Sequence, residues 1–519
     1  MQPACIRQNE LPGTSKLFAD FTHHFDRVAQ FYRHDPGDPA SFARAAAEID
    51  YPDSRRAALV EALAAQNGPS EPLARLAQPG TMAIVTGQQV GLFSGPAYTI
   101  YKALTAARVA GKLTAAGLPA VPVFWLATED HDFAEVNHAW MFGATGEHGL
   151  LHIDAPPEIA GRPRPVGRIT IAQPPVDELR RLLHGLPYAD EVLAAVAAAY
   201  PPGVTMGAGF RALLKTLLAK LDLIFIDPLD PAIRKIGAPL MAEALASAPE
   251  LKARLLKRNL ELTAAGYHAQ VHIEPKSSLF FLLENGERVQ LRRKDAEYAS
   301  LASRATEVSP NALLRPVFED YLLPTVAYIG GPGELAYIAQ SQVIYDRLLG
   351  RMPVAMSRSG FTLLDARSAK LLERYRLTAA QTLVPEEVLK ERIARALVPE
   401  RIEKSIETAT AEITAKLDHL RADLQAFDRT LASALDKSRA KMVYQLEKMR
   451  RKTEREALRR DERATSDAHH LSTMLYPHRH LQERFYSILP FLAQHGLGLV
   501  DRLYEAVELD CPDHRIYTI

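Results

Sequence analysis

The stretch "TGQQVGLFSGPAYTIYKALTAARVAGKL", residues 86–113, decides the fold. It follows the apolar run "TMAIV" (81–85), which reads as a short buried strand. It opens into an Ala-rich helix that stops near Gly117, with Pro119 beyond. Pro96 suits the first helical position, behind Ser94 or Gly95 as cap. A second apolar run, "AVPVFWLA" (120–127), comes straight after. Strand, Gly-rich turn, helix and strand this close together predict a right-handed crossover and a parallel sheet.

The same grammar returns at "TVAYIGGPGELAYIAQSQVIYDRLLG" (325–350). "DLIFI" (222–226) and "MPVAMSRSGFTLLD" (352–365) supply a third and a fifth strand. Asn285-Gly286 sits between two strand-like runs and signals a hairpin. A hairpin is antiparallel, so it belongs to an inserted lobe, about 230–320, and not to the parallel sheet. Residues 1–80 read as helical and 81–370 as the α/β core. Residues 371–470 read as a helical arm and 471–519 as a segment packing back on the core. In the arm, Ile413, Leu417, Leu420, Leu424, Phe427, Leu431 and Ala434 repeat with heptad spacing. The pattern then slips by one to Leu435, Met442, Leu446 and Met449. That slip fits one helix with a stutter or a turn capped by Asp428.

Bulk properties exclude several classes. Lys plus Arg equals Asp plus Glu at 62 each, so nothing advertises nucleic acid or an anionic membrane as partner. No stretch approaches the roughly 20 apolar residues of a membrane helix. The two cysteines, Cys5 and Cys511, suit a reducing compartment, and a cytoplasmic location is expected.

The candidate site gathers at strand ends. A helix N-terminus leaves N–H groups unpaired, here those of Ala97, Tyr98 and Thr99, and carries about half a positive charge. Gly87, Gly91 and Gly95 let the backbone turn towards a phosphate or carboxylate, with Ser94 beside them. Gln88 and Gln89 add neutral donors for charge developing on an oxygen. Gly330, Gly331 and Glu334 repeat the design. If strands 81–85 and 325–329 are neighbours, both loops lie where strand order reverses, the place ligands bind in such sheets. "EDHDFAEVNH" (129–138) follows the second strand. There Asp130 and Asp132 suit an ammonium group, His131 suits general base work, and Asn137 and His138 complete the polar cluster. His131 and His138 on one straight helix would lie about 10 Å apart along its axis, too far for one zinc. No zinc is expected, and a divalent ion on Asp130 and Asp132 is left open. Ser357 and Arg358 in "MSRS" follow the last strand, within reach of a phosphate. Each of these residues also has a plain structural reading as a turn, cap or solvated loop.

With these positions laid out, the chain resembles the cysteine-adding enzymes of bacillithiol biosynthesis, the BshC family. The matching stretches are "TGQQVGLFSGPAYTIYKALTAARVA", "VPVFWLATEDHDFAEVNHAW", "NALLRPVFEDYLLPTVAYIGGPGELAYIAQ" and "LYPHRHLQERFYSILPFL". The resemblance implies a Rossmann-type core with inserted segments and an antiparallel coiled-coil domain used for homodimerisation. "DRTL" at Asp428 matches the turn of that family's arm and favours the hairpin. It also implies the reaction: cysteine joined through its carboxyl to the amine of glucosaminyl-malate. More distantly the core is similar to class I aminoacyl-tRNA synthetases and to the cysteine ligase of mycothiol synthesis, which implies ATP and leaves room for Mg²⁺. The synthetases' HIGH histidines and zinc cysteines have no counterpart here, and "MSRS" only faintly echoes KMSKS. Two other readings stay open: a nucleotidyltransferase with another acceptor, and a non-catalytic nucleotide-binding scaffold whose arm recruits a partner.

Overall fold

The computed structural model describes residues 4–156, 161–274, 276–291 and 298–519. They fall into two compact units, Met1–Thr362 with Glu483–Tyr517 and Leu363–Gln482 with Thr518–Ile519. The first is built on five strands: Met82–Gln88 (β1), Ala120–Leu126 (β2), Ile224–Ile226 (β3), Thr325–Gly330 (β4) and Val354–Ser357 (β5). All neighbours are parallel, in the order β5-β4-β1-β2-β3. Every residue of β2 and β4 is buried, which is why they read as unbroken apolar runs. Strand order reverses between β1 and β4, so both Gly-rich turns leave the sheet at that point.

β1 runs past the expected Val85. Thr86, Gly87 and Gln88 stay in the strand because they pair with Phe124, Trp125 and Leu126 of β2. Gly87 is therefore a sheet residue: a Cβ there would stand 2.8 Å from the carbonyl oxygen of Trp125. The turn that follows is tight. Phe93, Ser94 and Gly95 take φ of 50°, 75° and 63°. A Cβ on Gly91 would meet the Gly95 Cα at 2.9 Å. The helix Tyr98–Ala115 (α1) then begins without a side-chain cap, so neither Ser94 nor Gly95 plays that part. Pro332–Leu348 (α2) follows β4.

The lobe hairpin forms as the sequence indicates. Phe280–Glu284 pairs antiparallel with Glu287–Gln290 across Asn285 and Gly286, both at positive φ. Val308–Pro310 adds a third strand, and this small sheet is separate from the parallel one. A pairing not legible in sequence joins the chain ends: Ala4–Ile6 lies antiparallel to His514–Thr518.

The second unit carries two long helices, Glu400–Phe427 (α3) and Arg429–Arg460 (α4). The stutter is excluded, because the chain turns at Asp428, whose side chain accepts from the Thr430 N–H at 2.6 Å. Arg421–Asp436 at 2.8 Å and Arg439–Asp418 at 2.7 Å tie the antiparallel pair. The unit ends at Gln482, so the segment that rejoins the first unit begins at Glu483 and not at 471. Among the described residues no helix is long and apolar enough to cross a membrane.

Candidate active site

The carboxyl ends of β1, β2 and β4 bring most of the singled-out residues together, in roles that differ from those expected. Lys102, one turn into α1, is buried and points back at the sheet. Its ammonium donates to the Gly87 carbonyl at 2.6 Å and to Gln88 Oε1 at 3.0 Å, and pairs with Glu334 at 2.5 Å. Burial pulls the Lys102 ammonium below its ordinary value. Burial alone would raise Glu334, but Lys102 overrides it and holds that carboxyl low. The pair stays ionised and locks the two Gly-rich turns to each other.

This lock changes the reading of both turns. Glu334 accepts from the Gly331 N–H at 2.8 Å and from the Tyr328 hydroxyl at 3.1 Å. A carboxylate thus already occupies the start of α2, where an anion was expected. At the start of α1, the Ala97 N–H donates to the Tyr486 carbonyl at 2.7 Å and the Thr99 N–H to Pro96 at 2.9 Å. Ser94 is buried against Ser487, 3.3 Å between hydroxyls. Gly330 and Gly331 carry the turn into α2, and a Cβ on Gly330 would crowd Glu334 at 3.1 Å.

The glutamines orient other side chains. Because Lys102 takes its oxygen, Gln88 turns its amide N–H to the Tyr98 hydroxyl at 3.1 Å. Carboxylates only accept, so Gln89 aims its amide nitrogen at Asp130 and Glu135, 2.7 Å each. Asp130 also accepts from the His131 N–H at 2.7 Å. Burial would raise its carboxyl, but Gln89 and the Arg288 charge hold it below the usual range. Arg288 arrives from the lobe hairpin, lying over the Phe281 ring at 3.8 Å and donating to His131 Nδ1 at 3.0 Å. Burial and the Arg288 charge both pull His131 down, so the ring is neutral at pH 7. A guanidinium only donates, so Nδ1 accepts and Nε2 carries the proton. The resting imidazole therefore presents a donor.

The remaining residues serve the fold. The segment 129–138 is not one helix: α-helix spans only Phe133–Val136, with Asp132 as its cap. His138 begins a strand opposite His152, and Asn137 donates to the Ile153 carbonyl at 3.0 Å. The conditional zinc geometry on one helix face thus falls away. Among the described residues no group of three His, Cys, Asp or Glu is arranged for a metal. Ser357 bonds locally to the Arg358 carbonyl at 3.1 Å. Arg358, expected within reach of a phosphate, is already engaged inside the fold: its buried guanidinium grips the buried Glu483, 2.9 Å at one contact. Sequence reasoning missed Lys102, Arg288 and the Glu483–Arg484 pair. Only Lys102 left a local signal, a single charge inside the apolar face "YTIYKAL".

A parallel α/β core with a polar cluster at its topological switch point, followed by a coiled-coil domain, defines a Rossmann-like protein with an antiparallel helical arm. Two family models cover nearly the whole chain: "Bacillithiol biosynthesis BshC, N-terminal Rossmann-like domain" over residues 1–359 and "Bacillithiol biosynthesis BshC, C-terminal coiled-coil domain" over 361–519. The chain belongs to the BshC family. It is 53% identical over 528 aligned positions to a protein of Solibacter usitatus named "Putative cysteine ligase BshC", with all of both chains covered. Proteins of the same name from Koribacter versatilis and Salinibacter ruber are 35% and 32% identical. The first alignment covers both chains fully, the second 96% of this chain and 95% of the relative.

Proposed function

We propose that this chain joins L-cysteine, through its carboxyl, to the amine of glucosaminyl-malate, with ATP supplying the activation that a carboxylate lacks. The observation that carries the reading is the cluster of Gln89, Asp130, His131 and Arg288 at the switch point, in a chain matched end to end by the BshC models. Amide formation needs a bound, neutral amine and a stabilised oxyanion. Asp130, ionised and aimed by Gln89, binds the amine's ammonium form and takes its proton, so that the neutral amine attacks the activated carboxyl and the phosphate-bearing group that activated it departs. The Nε2–H of His131, fixed by Arg288 at the other nitrogen, donates to the oxygen that gains charge as the bond forms. Purified protein incubated with both substrates, with and without ATP, tests this by mass spectrometry of the amide. Pyrophosphate release without amide would point to nucleotidyl transfer, and nucleotide binding without any turnover to a scaffold.

The tautomer gives a sharper test. His131→Ala should lower turnover about a hundredfold, the low end of what a positioned proton-handling group contributes. Nucleotide affinity by calorimetry should be unchanged. His131→Gln, which offers an N–H but no base, should retain most of the activity. Equal loss in both variants would show that the ring acts as a base.

The arm supports a homodimer. Leu420, Phe427, Leu431, Met442 and Met449 stay exposed on the hairpin, and α3 buries no residue. A second copy would cover them. Deleting 402–460 should convert a dimer into a monomer in sedimentation. A full-length protein that is monomeric at micromolar concentration would remove the arm from assembly.

A further inference from the structure

The Gln88 amide has a fixed direction. An ammonium group only donates, so the Lys102 Nζ, 3.0 Å from Gln88 Oε1, assigns the oxygen to its side. The other end of the amide is then nitrogen, and it donates to the Tyr98 hydroxyl oxygen at 3.1 Å. An amide nitrogen only donates as well, so the Tyr98 O–H cannot point back along this bond. Among the described residues it meets no acceptor. Burial raises the phenol above its ordinary value, so it keeps its proton at pH 7. The ring is pinned too. The guanidinium groups of Arg358 and Arg484 lie over it at 5.2 and 5.5 Å. Arg358 is held by Glu483, whereas Arg484 is exposed. Tyr98 itself is half-buried, bonded to the last residue of β1 at the edge where strand order reverses.

Lys102, Gln88 and Tyr98 thus form a row of donors that all run one way: ammonium to amide oxygen, amide N–H to phenol oxygen, phenol O–H onward. Hydrogen bonds in such a row polarise one another, and a row that starts on a cation ends in a donor suited to negative charge. The helix N-termini expected to take an anion are closed by Tyr486, Pro96 and Glu334, which leaves the part to a side chain. We propose that the Tyr98 hydroxyl, aimed by Gln88, donates to an anionic oxygen, carboxylate or phosphate, of a substrate. The inference rests on the reaction given above, which offers that oxygen from three sources: the carboxyl of L-cysteine, the malate carboxylates of the acceptor and the phosphates of the nucleotide. The adjacent glutamines then divide the work. Gln89 aims the acceptor Asp130, and Gln88 aims the donor Tyr98.

The test uses the full-length protein with Tyr98→Phe, which removes the hydroxyl and keeps the ring under both guanidinium groups. Thermal melting checks the fold. Calorimetry then compares L-cysteine, L-malate and tripolyphosphate on wild type and variant, without turnover. One of the three should bind about tenfold or more weakly in the variant, with the other two nearly unchanged. The probe affected names the source of the oxygen. Gln88→Ala, which frees the hydroxyl to turn, should weaken the same probe, and the double variant should bind it no worse than Tyr98→Phe alone. If Tyr98→Phe does not fold, Gln88→Ala decides by itself. A purely structural phenol would lower the melting temperature and leave all three affinities as they are. That result overturns the proposal, as does equal weakening of all three or a wild type that binds none of them. Binding that depends on Tyr98 without amide formation would sink the reaction and leave the donor standing.

Discussion

Lys102→Met should destabilise the protein by about 3–5 kcal/mol and abolish turnover. Removing one partner of a buried ion pair leaves the other charge uncompensated, and that penalty exceeds the net worth of the pair. Here the stranded group is Glu334, which also caps the Gly331 N–H and accepts from Tyr328. Lys102 further holds the Gly87 carbonyl and the Gln88 oxygen, so its loss also frees Gln88 and with it the Tyr98 hydroxyl. Chemical denaturation reads the stability term. The double variant Lys102→Met, Glu334→Gln removes both charges and should recover most of the stability but little of the activity. A single variant as stable as wild type would mean that Glu334 is solvated or protonated, contrary to the pairing described.

Arg358→Met should cost a similar amount, again about 3–5 kcal/mol, by stranding Glu483. That carboxylate is 3% exposed. Burial would raise it, but Arg358 keeps it ionised. It also accepts from the Phe361 N–H at 3.0 Å. Glu483→Leu should be as damaging, because it leaves the guanidinium buried against Tyr98. The two changes together should be far milder than their sum, since an apolar pair of similar volume replaces a desolvated ionic one. Additive losses in the double variant would show that the two side chains do not share one interaction.

The sheet was legible because its strands are buried on both faces and so read as short apolar runs between Gly-rich turns. Asn285-Gly286 gave the hairpin because only a few residues tolerate positive φ. The site was legible only in outline. Its position follows from where strands end, and Gln89, Asp130 and His131 do meet there. What each side chain does depends on partners far away in sequence. Arg288 comes from the lobe and sets the His131 tautomer. Tyr486 comes from the tail and takes the Ala97 N–H. Ser94, Asn137, His138 and Arg358 looked like ligand contacts because a polar residue beside a turn gives no local sign of an internal partner. Lys102 was overlooked for the opposite reason: a lysine on a helix is read as solvated unless its whole face is known to be buried.

The first unit is discontinuous, Met1–Thr362 completed by Glu483–Tyr517, and this sets an order of events during synthesis. Translation proceeds at roughly 5–20 residues per second, so the nascent sheet waits many seconds for its final segment. Until Glu483 emerges, Arg358 has no counter-charge. Until Tyr486 emerges, the Ala97 amide at the head of α1 has no acceptor, and the Tyr98 ring lacks the second arginine. The switch-point edge of the sheet is thus finished only after the helical arm has left the ribosome. Any message truncated between codons 363 and 482 yields a sheet with its strands present and its switch-point edge unsealed, a product for quality-control proteases.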